Sequence, residues 1–197
     1  MSFLDRIAAK VTPAASEEDR AEARRNVKRM TNGEPWLAMI VEQHEKIEGH
    51  FRDARNARDA KGRVDAMRAL EKELTGHATA EEAIVYPVVS EDSGKTHAGM
   101  AYEEHAMTKV NLAKLERIDP DSKEWMEKLD HIESAVRQHM YQEESSWLPD
   151  LVKKTSPRDK EVINQRFTEE YERYMGPTSS ERISPSQSAG RSSPTHA

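Results

Sequence analysis

The chain of 197 residues contains no cysteine. That excludes disulfides, iron–sulfur clusters and thiolate zinc sites, and it fits a reducing compartment. Hydrophobic residues make up only 36% of the chain against 34% charged, so any core must be narrow. Helices with single apolar stripes meet that condition better than a sandwich or a doubly wound sheet. No apolar run approaches the ~20 residues of a membrane span. Met1-Ser2-Phe3-Leu4-Asp5-Arg6 lacks the long apolar stretch of a signal peptide. A cytoplasmic protein is expected. Excess positive charge is missing too: net charge is −6, which gives no footing for nucleic acid or an anionic membrane.

What is present comes twice. His77-Ala78-Thr79-Ala80-Glu81-Glu82 recurs 62 residues later as His139-Met140-Tyr141-Gln142-Glu143-Glu144, each followed by a proline, Pro87 and Pro149. Residues i and i+4 share a helix face, so each copy points an imidazole and a carboxylate the same way. A lone histidine precedes each copy: His44 in Glu42-Gln43-His44-Glu45 and His105 in Glu103-Glu104-His105-Ala106, offset by 61.

The patterning places these on four helices. One begins near Glu34-Pro35 with the stripe Leu37, Ile40, His44, Ile47, Phe51 and turns at Lys61-Gly62-Arg63. The second carries Met67, Leu70, Leu74, His77, Glu81, Ile84, Val88 and turns at Asp92-Ser93-Gly94-Lys95. The third carries Ala98, Ala101, His105, Thr108, Leu112, Leu115; Asp121 and Glu124 then suggest a capping box. The fourth carries Trp125, Leu129, Ile132, Val136, His139, Glu143, Ser146. The fold class expected is all-α, an up-down-up-down four-helix bundle over residues 34–155. An N-terminal helical arm (1–33) precedes it: Phe3, Leu4, Ile7 and Val11 stop at Pro13, then a charged helix runs from Glu17 to Met30. An extra C-terminal helix (156–175) follows, capped by Ser156-Pro157 and carrying Ile163, Phe167, Tyr171 and Tyr174. Residues 176–197 form a Ser/Pro-rich tail expected to be disordered. Counting from the turns brings the four histidine levels together. The third connection is the exception, with roughly 10 Å to absorb at ~1.5 Å per residue.

His44, His77, Glu81, His105, His139 and Glu143 all interrupt apolar stripes, so they should face the bundle axis. Burying ionised carboxylates without compensation costs several kcal/mol each, against the ~5–15 kcal/mol stability of a domain. Two divalent cations would neutralise the set, with imidazoles as terminal ligands and carboxylates as bridges. Nitrogen-plus-oxygen ligation suits iron, manganese or zinc rather than calcium or magnesium. The donor count leaves room for a bridging oxo or hydroxo group and for exogenous O₂, peroxide or nitric oxide. Any one of these histidines alone is more often a satisfied core or surface residue; the repeat, the stripe phase and the shared proline favour metal together. Pro87 and Pro149 are expected to bend or end their helices. His97 (in a turn), His131 (off the stripe) and His196 (in the tail) are expected to be solvated, and Trp36, Trp125 and Trp147 to pack. Glu48, His50 and Tyr102 stay open as extra ligands or donors. A ferritin-like site would need Glu-x-x-His, which does not occur. A phosphotransfer bundle would need one exposed histidine.

This pattern resembles the hemerythrin-like family, whose HHE cation-binding domains hold a non-haem di-iron centre in a four-helix bundle. The resemblance covers Trp36 to Leu151, including both His-x-x-x-Glu-Glu blocks and the Tyr86-Pro87 and Leu148-Pro149 that follow them. It implies His44, His77, Glu81, His105, His139 and Glu143 as ligands of two non-haem iron ions, with Glu81 and Glu143 bridging. Oxygen-carrying hemerythrins have a second histidine one turn after the third-helix ligand, where this chain has Lys109. That shifts the expectation from reversible oxygen carriage to binding, sensing or detoxifying O₂, nitric oxide or peroxide, with catalase-like turnover left open. The alternative is a non-catalytic iron-binding or stress-response module acting through a protein partner at residues 1–33 or 176–197.

Overall fold

The computed structural model describes residues 15–92 and 95–176. The expected segment over Phe3 to Val11, the Ser93-Gly94 turn, the Ser/Pro tail beyond Gly176 and His196 lie outside the described residues. Within them the fold is all-α. Helix α1 is Glu17–Met30, α2 Pro35–Asn56 and α3 Ala60–Ala80. The latter runs through a π-helical turn, Glu81–Val85, into α4, Tyr86–Asp92. Helix α5 is Lys95–Leu115. Helix α6, Lys123–Gln142, runs through a second π-helical turn, Glu143–Trp147, into α7, Leu148–Lys154. Helix α8 is Pro157–Met175. Four long rods make an up-down bundle, with α1 and α8 added at its sides.

Local chemistry explains the boundaries. Ser16 caps α1 in a reciprocal box with Asp19, and Ser156 with Pro157 starts α8. Two expected turns move. Asp59 accepts from Gly62 N at 2.7 Å and so caps α3, which puts Lys61-Gly62-Arg63 in the first helical turn rather than the connection. A Cβ at Gly62 would meet Ala57 Cβ at 3.2 Å. The cap of α6 is Ser122, accepting from Trp125 N at 3.2 Å, not the expected Asp121–Glu124 box. His97 lies on α5 rather than in a turn, and it stacks on Trp147 with ring centroids 5.8 Å apart.

Two apolar clusters fill the bundle. One includes Trp36, Leu37, Ile40, Val85, Val89, Ala101, Trp147 and Phe167. The other includes Ile47, Phe51, Leu70, Leu74, Leu112, Trp125, Leu129 and Val136. Along α2 the chain passes from the first cluster through His44 to the second. Along α3 it passes back through His77 and Glu81, along α5 forward through His105, and along α6 back through His139 and Glu143. The alternation is the antiparallel topology itself, and it leaves one polar layer between two dry ones. Helix α8 seals the flank of α3: the Tyr171 hydroxyl donates to Glu73 Oε1 at 2.6 Å. Gly76, next to His77, lets Met175 approach within 2.9 Å of where a Cβ would stand.

Candidate metal centre

All six residues that interrupt the stripes are buried and meet in the polar layer. They fall into two sets of mutually close donor atoms: His44, His77, Glu81 and Glu143, then Glu81, His105 and His139. Glu81 belongs to both. Its Oε2 lies 3.1 Å from His77 Nε2 and 3.7 Å from His105 Nε2. Glu143 also reaches both sides, Oε2 lying 3.3 Å from His44 Nε2 and Oε1 3.4 Å from His139 Nε2. His105 Nε2 and His139 Nε2 stand 3.0 Å apart, so the mismatch at the third connection is absorbed.

Every imidazole turns Nε2 inward because its Nδ1 is held from behind. His44 Nδ1 lies 2.6 Å from Glu144 Oε1, and His105 Nδ1 3.1 Å from Glu82 Oε1. His77 Nδ1 lies 2.9 Å from Gln43 Oε1, and His139 Nδ1 2.8 Å from Glu104 Oε2. Such outer partners fix ring orientation and raise donor basicity. The pattern is two-fold. The second Glu of each repeat crosses to the lone histidine of the opposite unit, and the residue before each lone histidine holds the paired one. Sequence reasoning left these four unassigned, though the doubled Glu and the Gln43-His44 and Glu104-His105 pairs carried the signal. Glu144 is itself gripped by Arg24 Nε of α1 at 2.6 Å.

The open candidates resolve away from the cluster. Glu48 pairs with Arg24 at 3.5 Å, and His50 is not among the grouped donors. Tyr102 is 40% exposed and donates to the carbonyl of Glu82 at 2.8 Å. The phenol inside is Tyr86, 1% exposed. Its hydroxyl donates to Glu143 Oε1 at 2.9 Å and lies 3.1 Å from Glu81 Oε2. It also lies 3.1 Å from His105 Nε2 and 3.2 Å from His139 Nε2. Lys109 turns outward, its Nζ 3.1 Å from Glu82 Oε1.

The π-helical turns explain Tyr86. Each begins at the Glu of a repeat, and Tyr86 N–H bonds Glu81 O five residues back. The wider turn keeps proline from colliding with a carbonyl four residues earlier, so both helices continue through Pro87 and Pro149 rather than end there. At that spacing the N–H that Pro87 lacks would have bonded Glu82 O, the carbonyl that Tyr102 fills. One inserted residue also shifts the stripe. Val85 and Val89 are buried where Ile84 and Val88 were expected, Ser146 is exposed beside Trp147, which packs as expected, and Tyr86 comes round with them.

Burial lowers the His44 imidazole, but Glu143 and Glu144 outweigh it and raise it to about 9. His139 is likewise raised to about 10, burial being overcome by Glu143 and Glu104. Burial, then the charge of Glu143, pushes Glu81 well above the carboxylate range. Burial, then His44, holds His77 well down. Protons balance this layer incompletely: Glu81 Oε1 is buried with no hydrogen-bond partner, and Glu143 Oε2 and His44 Nε2 have only each other, poorly aligned at 3.3 Å. A cation at each donor set removes these defects, so the residues present fit a two-metal site.

A cavity reaches the layer between α3, α5 and α6. His77, His105 and His139 form its floor, and Leu74, Leu112, Val136 and Met140 line its walls with half-exposed Lys109. About 20 Å³ is open to the centre of a water-sized molecule, against the ~10–15 Å³ that one water needs. That is room for one or two heavy atoms.

Among known proteins, the family model described as hemerythrin HHE cation binding domain matches residues 37–151. A DNA nickase of Nostoc sp. (strain PCC 7120 / SAG 25.82 / UTEX 2576) is 28% identical over 108 residues, 55% of this chain and 31% of that protein. The chain thus spans about a third of the curated relative's length. No solved structure matches.

Proposed function

The chain belongs to the hemerythrin HHE cation-binding family, and from that premise we propose that it is a di-iron protein that binds or reduces a small oxidant. His44, His77, His105 and His139 would hold the two ions through Nε2, with Glu81 and Glu143 the carboxylates that reach both donor sets. The observation that carries this reading is the pair of buried donor sets sharing Glu81, whose Oε1 is otherwise without a hydrogen-bond partner. Iron suits imidazole and carboxylate together, ahead of manganese or zinc. Bound iron supplies the electrons and the open coordination positions.

The chain supplies the rest. Glu82, Glu104, Glu144 and Gln43 keep the imidazoles aimed inward. The apolar cavity admits O₂, nitric oxide or peroxide and excludes larger substrates by size. The bundle over residues 34–155 is the unit that does this, in the cytoplasm. Nicking is a property of a relative of which this chain covers under a third, and it is not carried over.

The test is metal analysis of the purified protein beside His77→Ala and His139→Ala. Two irons are expected in the natural chain and at most one in each variant, together with a change in visible absorption when reduced protein meets O₂ or peroxide. A chain that purifies without transition metal, takes up none and is indifferent to chelator overturns the reading.

A further inference from the structure

The two donor sets are not equivalent, and the difference is Tyr86. We infer that its phenolate oxygen is an additional ligand to the ion held by His105, His139, Glu81 and Glu143, making one position phenolate-bound and leaving the other without a phenol. The inference rests on the two-metal reading above and adds to it a residue and an asymmetry.

Four nitrogen or oxygen atoms surround the Tyr86 oxygen within 3.2 Å. A phenol donates one hydrogen and accepts at most two, so four such contacts exceed what it can hold. An ordinary buried tyrosine has one acceptor, as Tyr171 has Glu73. Four convergent donors around one oxygen are instead what a shared cation requires, and the phenol proton leaves to solvent as the ion enters.

Three features of the chain aim this oxygen. The π-helical turn beginning at Glu81 adds the residue that rotates Tyr86 inward. Tyr102 packs edge-on against it with centroids 5.4 Å apart, while its own hydroxyl holds Glu82 O. Lys109, on the helix that carries His105, is committed to Glu82 and offers no donor of its own. The other half of the repeat has nothing comparable: the residue 62 positions after Tyr86 is Leu148, which joins an apolar cluster.

Ferric-loaded natural chain, Tyr86→Phe and Tyr102→Phe are compared by metal content, visible absorption and resonance Raman scattering. The natural chain should show a phenolate-to-iron charge-transfer band with tyrosine ring modes enhanced within it. Tyr86→Phe should lose both while retaining iron, and Tyr102→Phe should keep both. Should Tyr86→Phe fail to fold or to take up iron, the natural chain grown with ring-deuterated tyrosine still decides, because enhanced modes that shift identify a tyrosine ligand. A natural chain that holds two irons without such a band, or a band that survives in Tyr86→Phe, overturns the inference and leaves the two-metal reading standing. A natural chain that takes up no iron overturns both, and the metal assay tells the two failures apart.

Discussion

At the scale of single residues, the centre depends as much on what stands behind the histidines as on the histidines. An imidazole free to rotate offers the wrong nitrogen part of the time and loses rotamer entropy when it binds. Here each Nδ1 faces an oxygen at 2.6 to 3.1 Å, so the inward nitrogen is chosen before a ligand arrives. Three of those oxygens are carboxylates and one is an amide, and the carboxylates should matter more because they also stabilise the donor electrostatically. Glu104→Ala, which frees His139, should weaken metal binding by about 10–100-fold in a competition titration with a chromogenic chelator. Glu104→Gln, which retains a hydrogen-bond acceptor, should recover part of the loss. Equal affinity in Glu104→Ala and the natural chain would show that packing alone orients the ring. These partners were visible in the sequence only as neighbours of the motif residues. Periodicity says which face a side chain occupies, not which nitrogen of a histidine on another helix it will meet.

At the scale of elements, the π-helical turns decide the site. Sequence periodicity identified the helices, their order and the inward face of each as far as Glu81 and Glu143. Beyond those residues it erred by one position, burying Ile84 and Val88 in place of Val85 and Val89 and setting exposed Ser146 on the inward stripe. A period of 3.6 has no means of announcing an inserted residue, and a π-helical turn is one. The proline six residues after each Glu was the trace of it, since proline inside a continuing helix needs the local widening such a turn gives. Deleting Ala83, inside the first of these turns, should return the segment to α spacing and swing Tyr86 and Val85 off the layer. Far-UV circular dichroism should then show a helix content close to the natural chain, while titration with ferrous iron shows reduced stoichiometry or affinity. Undiminished binding at full helix content would mean that the turn is only an accommodation of Pro87. The turns at Gly62 and Ser122 were misread for a smaller reason: capping depends on which side-chain oxygen reaches an N–H, and adjacent candidates look alike in sequence.

At the scale of the molecule, a charged layer separates two apolar clusters that would otherwise be one core. The clusters lie on either side of it, so the layer's charge must be neutralised from within. Chelated protein has only protons for that purpose, and their release can be followed. His44 and His139 are raised to about 9 and about 10 in the fold, above the ~6.5 of a free imidazole. Their contribution to stability is therefore full below pH ~6.5 and is lost as pH rises through 9 and 10. Glu81, also raised, works in the same direction, while the depressed Glu143 contributes fully at neutral pH and above and loses that contribution only in acid. Chelator-treated protein should thus melt at progressively lower temperature as pH is raised from neutral to about 10. Iron-loaded protein should hold its melting temperature over the same range, because the cations replace the protons and coordination keeps the imidazoles neutral. Iron affinity should rise with pH for the same reason, since protons leave as metal enters. Scanning calorimetry of both forms across that interval checks the argument. Parallel curves would mean that the layer is stabilised by something other than charge neutralisation, and the reading of the four helices as the walls of a metal centre would lose its energetic basis.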